Sequence, residues 1–81
     1  MPRTATPAAN PVNRKKLPGS KWTAVEPMNR EKHFVVLGWT PNPDGSHSTD
    51  TVDVEAVLTG RIRTIGWREL ADPDRWRIGW C

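Results

Sequence analysis

Few residues in this chain could do chemistry, and most of them do not combine. His33 lies between Lys32 and Phe34, and His47 lies in a Gly/Ser/Thr-rich loop. Zinc wants about four Cys, His or acidic ligands, and neither histidine has a cysteine near it in sequence. The single cysteine, Cys81, is the last residue and has no intrachain partner. That excludes a disulfide scaffold and a cysteine-based metal site, and a reducing compartment, the cytoplasm, is the expected location. Asp53 and Glu55 share one strand face with no acid partner in view, which reads as a solvated face. Thr59-Gly60-Arg61 is a turn and not a phosphate-binding loop. Catalysis needs a nucleophile or metal beside an oriented acid or base. None is visible, so the expectation is a non-enzyme without cofactor or metal.

The other chemistry is that of tryptophan and arginine. Five tryptophans stand in 81 residues with no tyrosine and one phenylalanine. An indole buries about 150–250 Å² and wants a partner for its N–H. Trp22, Trp39 and Trp67 sit in or beside strand-like runs and read as core filler. Trp76 and Trp80 lie four apart and would share a face of one helical turn. Either they close over the sheet edge, or they stand out between Arg75 and Arg77 as contact aromatics.

Charge is unevenly placed. Arg3, Arg14, Lys15, Lys16 and Lys21 carry the first 21 residues with no acid among them. From residue 22 to 60, Arg30 and Lys32 face six carboxylates; from 61 onward five arginines face three. Basicity therefore lives in an N-terminal arm, and the formal net charge of +3 does not describe the body.

Those residues need elements to position them. A chain this short buries only about 60% of the surface its unfolded state exposes, so one core is the limit. No apolar run approaches the roughly 20 residues of a membrane span, and no apolar h-region follows the N-terminal charges. Four of eight prolines fall within the first 18 residues. Residues 1–17 are expected to be a disordered, basic, proline-rich arm that adds nothing to the core. Residues 18–81 form a single small domain.

Within the domain, Lys21 to Val25 reads as a short strand closed by Pro27. Lys32 to Thr40 is apolar on both faces and reads as a central strand, with His33, Val35, Leu37 and Trp39 on one side. Pro41 to Ser46 is a loop with an Asp-Gly turn signal. Thr51 to Thr59 alternates, placing Val52, Val54, Ala56 and Leu58 on one face. Ile62 to Trp67 loses strict alternation, which suggests a bulge or a short strand. Asp72-Pro73 can open one helical turn that Gly79 ends. The predicted fold is mainly β: a small twisted antiparallel sheet or partly open barrel of about four strands. A short helical or irregular C-terminal segment covers it. Val35, Leu37, Trp39, Val54, Ala56 and Leu58 are the expected core.

Several segments occur in a recognisable order: Gly19-Ser20-Lys21-Trp22-Thr23-Ala24-Val25, Lys32-His33-Phe34-Val35-Val36 and Glu55-Ala56-Val57-Leu58-Thr59. They continue with Trp67-Arg68-Glu69-Leu70, Asp72-Pro73, Trp76 and Gly79-Trp80. From about residue 17 to 80 the chain resembles the small tryptophan-rich protein family of cyanobacteria and marine bacteria, a domain of unknown function. The resemblance implies a small bacterial protein and carries over no functional residues.

Two functions fit this composition. One is a binding module that docks on a protein partner or complex, its contact made by Arg61, Arg63, Arg68, Arg75, Trp76, Arg77 and Trp80. Arg14, Lys15, Lys16 and Lys21 of the basic arm would join them. The other is RNA or single-stranded nucleic-acid binding, with the arginines on phosphates and the tryptophans stacked on bases. The carboxylates between Asp44 and Glu55 would repel a phosphate backbone crossing that face, which favours the protein partner.

Overall fold

A computed structural model describes residues 9–80 of the chain. Five strands form one antiparallel sheet: β1 (Lys21–Met28), β2 (Glu31–Pro41), β3 (His47–Ala56), β4 (Ile62–Gly66) and β5 (Trp76–Ile78). Their spatial order is β4-β3-β2-β1-β5, so the apolar β2 is central, as its sequence predicts. Two short 3-10 helices, Arg14–Lys16 and Trp67–Ala71, complete the fold.

The register explains which face is buried. Trp22, Phe34 and Ala56 stand in one row across β1, β2 and β3, and Val54 and Val52 continue the same face. With Val36, Ile65, Trp76, Leu17 and Leu70 they make the core. Phe34 and Trp76 meet edge to face at 5.1 Å and 82°. Such a contact adds about 0.5–1.5 kcal/mol beyond area burial.

Here the expected core is corrected. β2 buries Phe34 and Val36, whereas Leu37 is exposed and Val35 lies only partly buried on the opposite face. The β2–β3 register slips between Val36 and Gly38, a bulge that brings Trp39 onto the Val36 side. Gly38 has φ 153°, a conformation that side-chain-bearing residues rarely adopt. β3 ends at Ala56, so Leu58 lies in the following turn and is exposed. β4 pairs with β3 without a slip and is only five residues long, so of the two alternatives for this run it is the short strand.

Three turns hold the meander. Asn29 and Arg30 join β1 to β2 with φ of 55° and 63°, the two-residue hairpin geometry that matches strand twist. Asn42 N–H donates to Ser46 O at 2.7 Å, closing the Asp-Gly loop between β2 and β3. Ala56 N–H donates to Arg61 O at 2.9 Å and closes the third. Pro27 is tolerated inside β1 because β5 pairs only with Trp22, Thr23 and Ala24.

The cover is the second correction. Residues 1–8 of the expected arm lie outside the described residues, and so does Cys81. Residues 9–17, however, pack on the sheet. Leu17 is 2% exposed within the core. Asn10 donates from its backbone to Ala71 O at 2.9 Å. Its Nδ2 donates to Leu70 O at 2.9 Å and Trp76 O at 2.7 Å. Asn13 Oδ1 accepts from Lys15 N–H and caps the first 3-10 helix. This segment and the Trp67–Ala71 helix together close one face of the sheet. The C-terminal segment, expected as a helical or irregular cover, supplies that helix and adds β5, a fifth strand, where a helical turn from Asp72 to Gly79 is predicted.

Candidate functional site

The arginines and tryptophans of the C-terminal segment do not share one surface. Trp76 is 3% exposed, and its Nε1 donates to Glu69 Oε2 at 3.1 Å. Arg75 is held by Glu69 at 3.4 Å and Asp72 at 3.7 Å. Arg61 lies 3.9 Å from the buried carboxylate of Glu31. The Arg63 guanidinium sits 5.9 Å from the Phe34 ring on the core side. Trp76 and Trp80 do not share a helical face, because Trp76–Ile78 is a strand. Gly79, at φ 80°, then turns the chain across the sheet edge.

Trp80 therefore lies on the face opposite the core. Its Nε1 donates to Phe34 O at 3.0 Å, its ring is 5.8 Å from His33, and Lys21 Nζ lies 4.7 Å over it. Thr23 Oγ1 donates to Gly79 O at 2.6 Å and fastens the turn that delivers it. Arg77 stands beside Thr23 in the β1–β5 register, on the same face.

A different group gathers cation and indole on the other side. Leu17, buried, anchors the first 3-10 helix, and the helix presents Arg14 to the sheet end. The Arg14 guanidinium lies 5.0 Å from the Trp39 ring and 5.1 Å from the Trp67 ring. Its Nη2 donates to Thr49 O at 2.7 Å, which fixes the plane of the fork. Arg68 approaches Trp67 at 5.2 Å. Lys15, His47, Ser48 and Thr49 extend this group into a shallow groove of about 540 Å³ beside Trp39. Two bulge and capping events make it: the slip at Gly38 turns Trp39 to this side, and Asn13 starts the helix that carries Arg14.

The electrostatics differ from those around Arg61 and Arg75. Those two have carboxylate partners; among the described residues Arg14, Lys15, Lys16 and Arg68 have none within 4 Å. An indole face holds a cation without cancelling its charge, at about 0.5–1 kcal/mol for an exposed pair. Trp67 Nε1 is a buried side-chain donor without a hydrogen-bond partner among the described residues. Among those residues no group of three or more His, Cys, Asp or Glu could hold a metal ion. No helix there is long and apolar enough to cross a membrane.

Trp39 and Trp67, read from sequence as core filler, are only partly buried and form the middle of this group. Arg14 and Arg68 stood among the candidate contacts, but nothing in their spacing joins them to those indoles. Comparison with known proteins adds the family. The model of the tryptophan-rich protein family DUF2389 matches residues 20–81. The chain belongs to that family. In this DUF2389 chain the matched residues include Trp39, Trp67 and Arg68, while Asn10, Arg14, Lys15 and Leu17 precede them. No curated protein and no solved structure matches the chain.

Proposed function

We propose that this chain is a non-enzymatic binding module of the cytoplasm that docks on an acidic surface of a protein partner. The contact is made by Arg14, Lys15 and Arg68 around Trp39 and Trp67. One observation carries this reading: Arg14 is held between two indoles and a backbone carbonyl, with no carboxylate beside it. A guanidinium already fixed in place loses little conformational freedom when a partner carboxylate arrives, and its planar fork donates two hydrogen bonds to the carboxylate oxygens. Arginine and tryptophan are also the residues most enriched where interfaces concentrate their energy.

A protein partner suits the site better than nucleic acid. Bases need an open aromatic face, and the Trp67 ring already has Arg14 and Arg68 over it. The carboxylates of Asp53 and Glu55 on the far face of the sheet would oppose a phosphate chain wrapping the molecule.

The test is capture of partners from the native lysate by the full chain, with and without nuclease, across a salt series. A defined protein retained after nuclease treatment is the expected result. Recovery of RNA or DNA alone would overturn it, above all with affinity falling steeply and linearly on a log–log salt plot.

A further inference from the structure

We propose that the face of the sheet opposite the core is a self-association surface, occupied by a second copy of this chain. The two-fold axis runs along β2. This goes beyond the docking surface above and uses other residues.

Lys21 pairs with Val35, Val35 with Glu55, and Glu55 with Ile62, so these four stand side by side across β1, β2, β3 and β4. All four point away from the core, since Trp22, Phe34, Ala56 and Val54 next to them point into it. The row is basic on one flank, acidic on the other and apolar at the centre. Rotation by half a turn about β2 places β1 of one copy over β3 of the other. Lys21 then meets Glu55, Glu55 meets Lys21, and Val35 meets Val35, the reciprocal pattern of a closed two-fold interface. A two-fold axis along the row itself would set Glu55 on Glu55 and Lys21 on Lys21, and like charges reject it.

The relief of the face follows the same symmetry. Trp80 rises over the β1–β2 half, against Lys21 and His33, and remains 45% exposed. The other half carries Ile62, 57% exposed on β4, and leads into the turn after β3, where Val57 is 51% exposed. Rotation about β2 lowers the indole of each copy onto the uncovered half of the other. Ile62 of one copy then falls against the Gly79–Trp80 turn of the other, where Gly79 N–H is bonded to Lys21 O at 2.8 Å. Two sheets stacked in this way keep their strands within about 30° of each other and about 10 Å apart.

Sedimentation velocity of the full chain tests this from about 1 µM to about 500 µM, a range suited to an interface at the small end of the scale. The expected result is a rise from monomer to dimer mass. Glu55→Lys and Lys21→Glu should each weaken the dimer at least tenfold or so, with the circular dichroism spectrum unchanged, and the double reversal should restore it to within about threefold. A chain that stays monomeric to the top of the range overturns the proposal. So does a dimer indifferent to the single reversals, or one that the double reversal fails to restore. Trp80→Phe, which keeps an aromatic ring in place, provides a second variant, and it should weaken association less than Trp80→Ala.

Discussion

The Arg14 guanidinium rests 5.0 Å from the Trp39 ring, joining the segment before the first strand to the bulged end of the central one. The contact exists because Leu17, on the same segment, is buried in the core. A double-mutant cycle between Arg14→Ala and Trp39→Leu should show a coupling of about 0.5–1 kcal/mol in denaturant unfolding. Strict additivity of the two substitutions would mean that the cation and the ring do not interact in solution.

Leu17→Ala should destabilise the domain by about 2–5 kcal/mol, the cost of a fully buried leucine in a small core. A marginal domain of this size could lose most of its stability to that change. Thermal and chemical unfolding measure it. A midpoint equal to that of the unsubstituted chain would place Leu17 outside the core.

Substitution of tryptophan by phenylalanine should cost less at position 67 than at positions 22 or 76. Trp22 Nε1 donates to Ser20 Oγ at 2.9 Å and Trp76 Nε1 to Glu69 Oε2, whereas Trp67 Nε1 has no partner among the described residues. Removing a bonded donor forfeits about 0.5–1.5 kcal/mol and strands its acceptor; removing an unbonded one forfeits no bond. The same unfolding measurements rank the three variants. A larger loss for Trp67→Phe than for both others would contradict the assignment.

The Asp44 carboxyl is held below its ordinary value of 3.8 by the hydroxyl of Ser46 first and by the Ser46 backbone N–H second. A carboxyl lowered in the folded state supports its turn fully above the unfolded value and withdraws that support as pH falls through the folded one. The Asn42–Ser46 loop should therefore hold its bonds down to pH 3.8 and loosen below it. Titration of the Ser46 amide by NMR reads this directly: a midpoint under 3.8 is expected, and one at or above it contradicts the bond. Asp44→Asn should remove the step.

Much of the sheet is legible from residue types. Val52, Val54 and Ala56 alternate, the Asp-Gly pair marks its hairpin, and β2 is apolar on both faces because it is central. The buried side of β2 is not legible, since Phe34 and Val36 compete with Val35 and Leu37 on nearly equal terms and the bulge at Gly38 decides. The Asn29–Arg30 turn has no glycine to announce it. Leu17 and Asn10 sit in proline-rich, basic sequence that looks too polar to pack. Their places depend on Leu70, Ala71 and Trp76, more than fifty residues away, which no local pattern records. The candidate site follows the same logic. Its cations are visible in sequence, but the indoles that hold them are assigned by the bulge and by the cap at Asn13.

The docking surface itself is tested most directly by charge reversal at its outer groups. Nuclease-treated lysate is passed over the unsubstituted chain, the Lys15→Glu/Arg68→Glu variant and an Arg77→Glu variant on the opposite face. Lys15 and Arg68 are exposed, so reversing them should leave the unfolding midpoint within a few degrees. Loss of the retained protein from Lys15→Glu/Arg68→Glu, with retention by Arg77→Glu, is the predicted result. Undiminished retention by Lys15→Glu/Arg68→Glu would contradict the account.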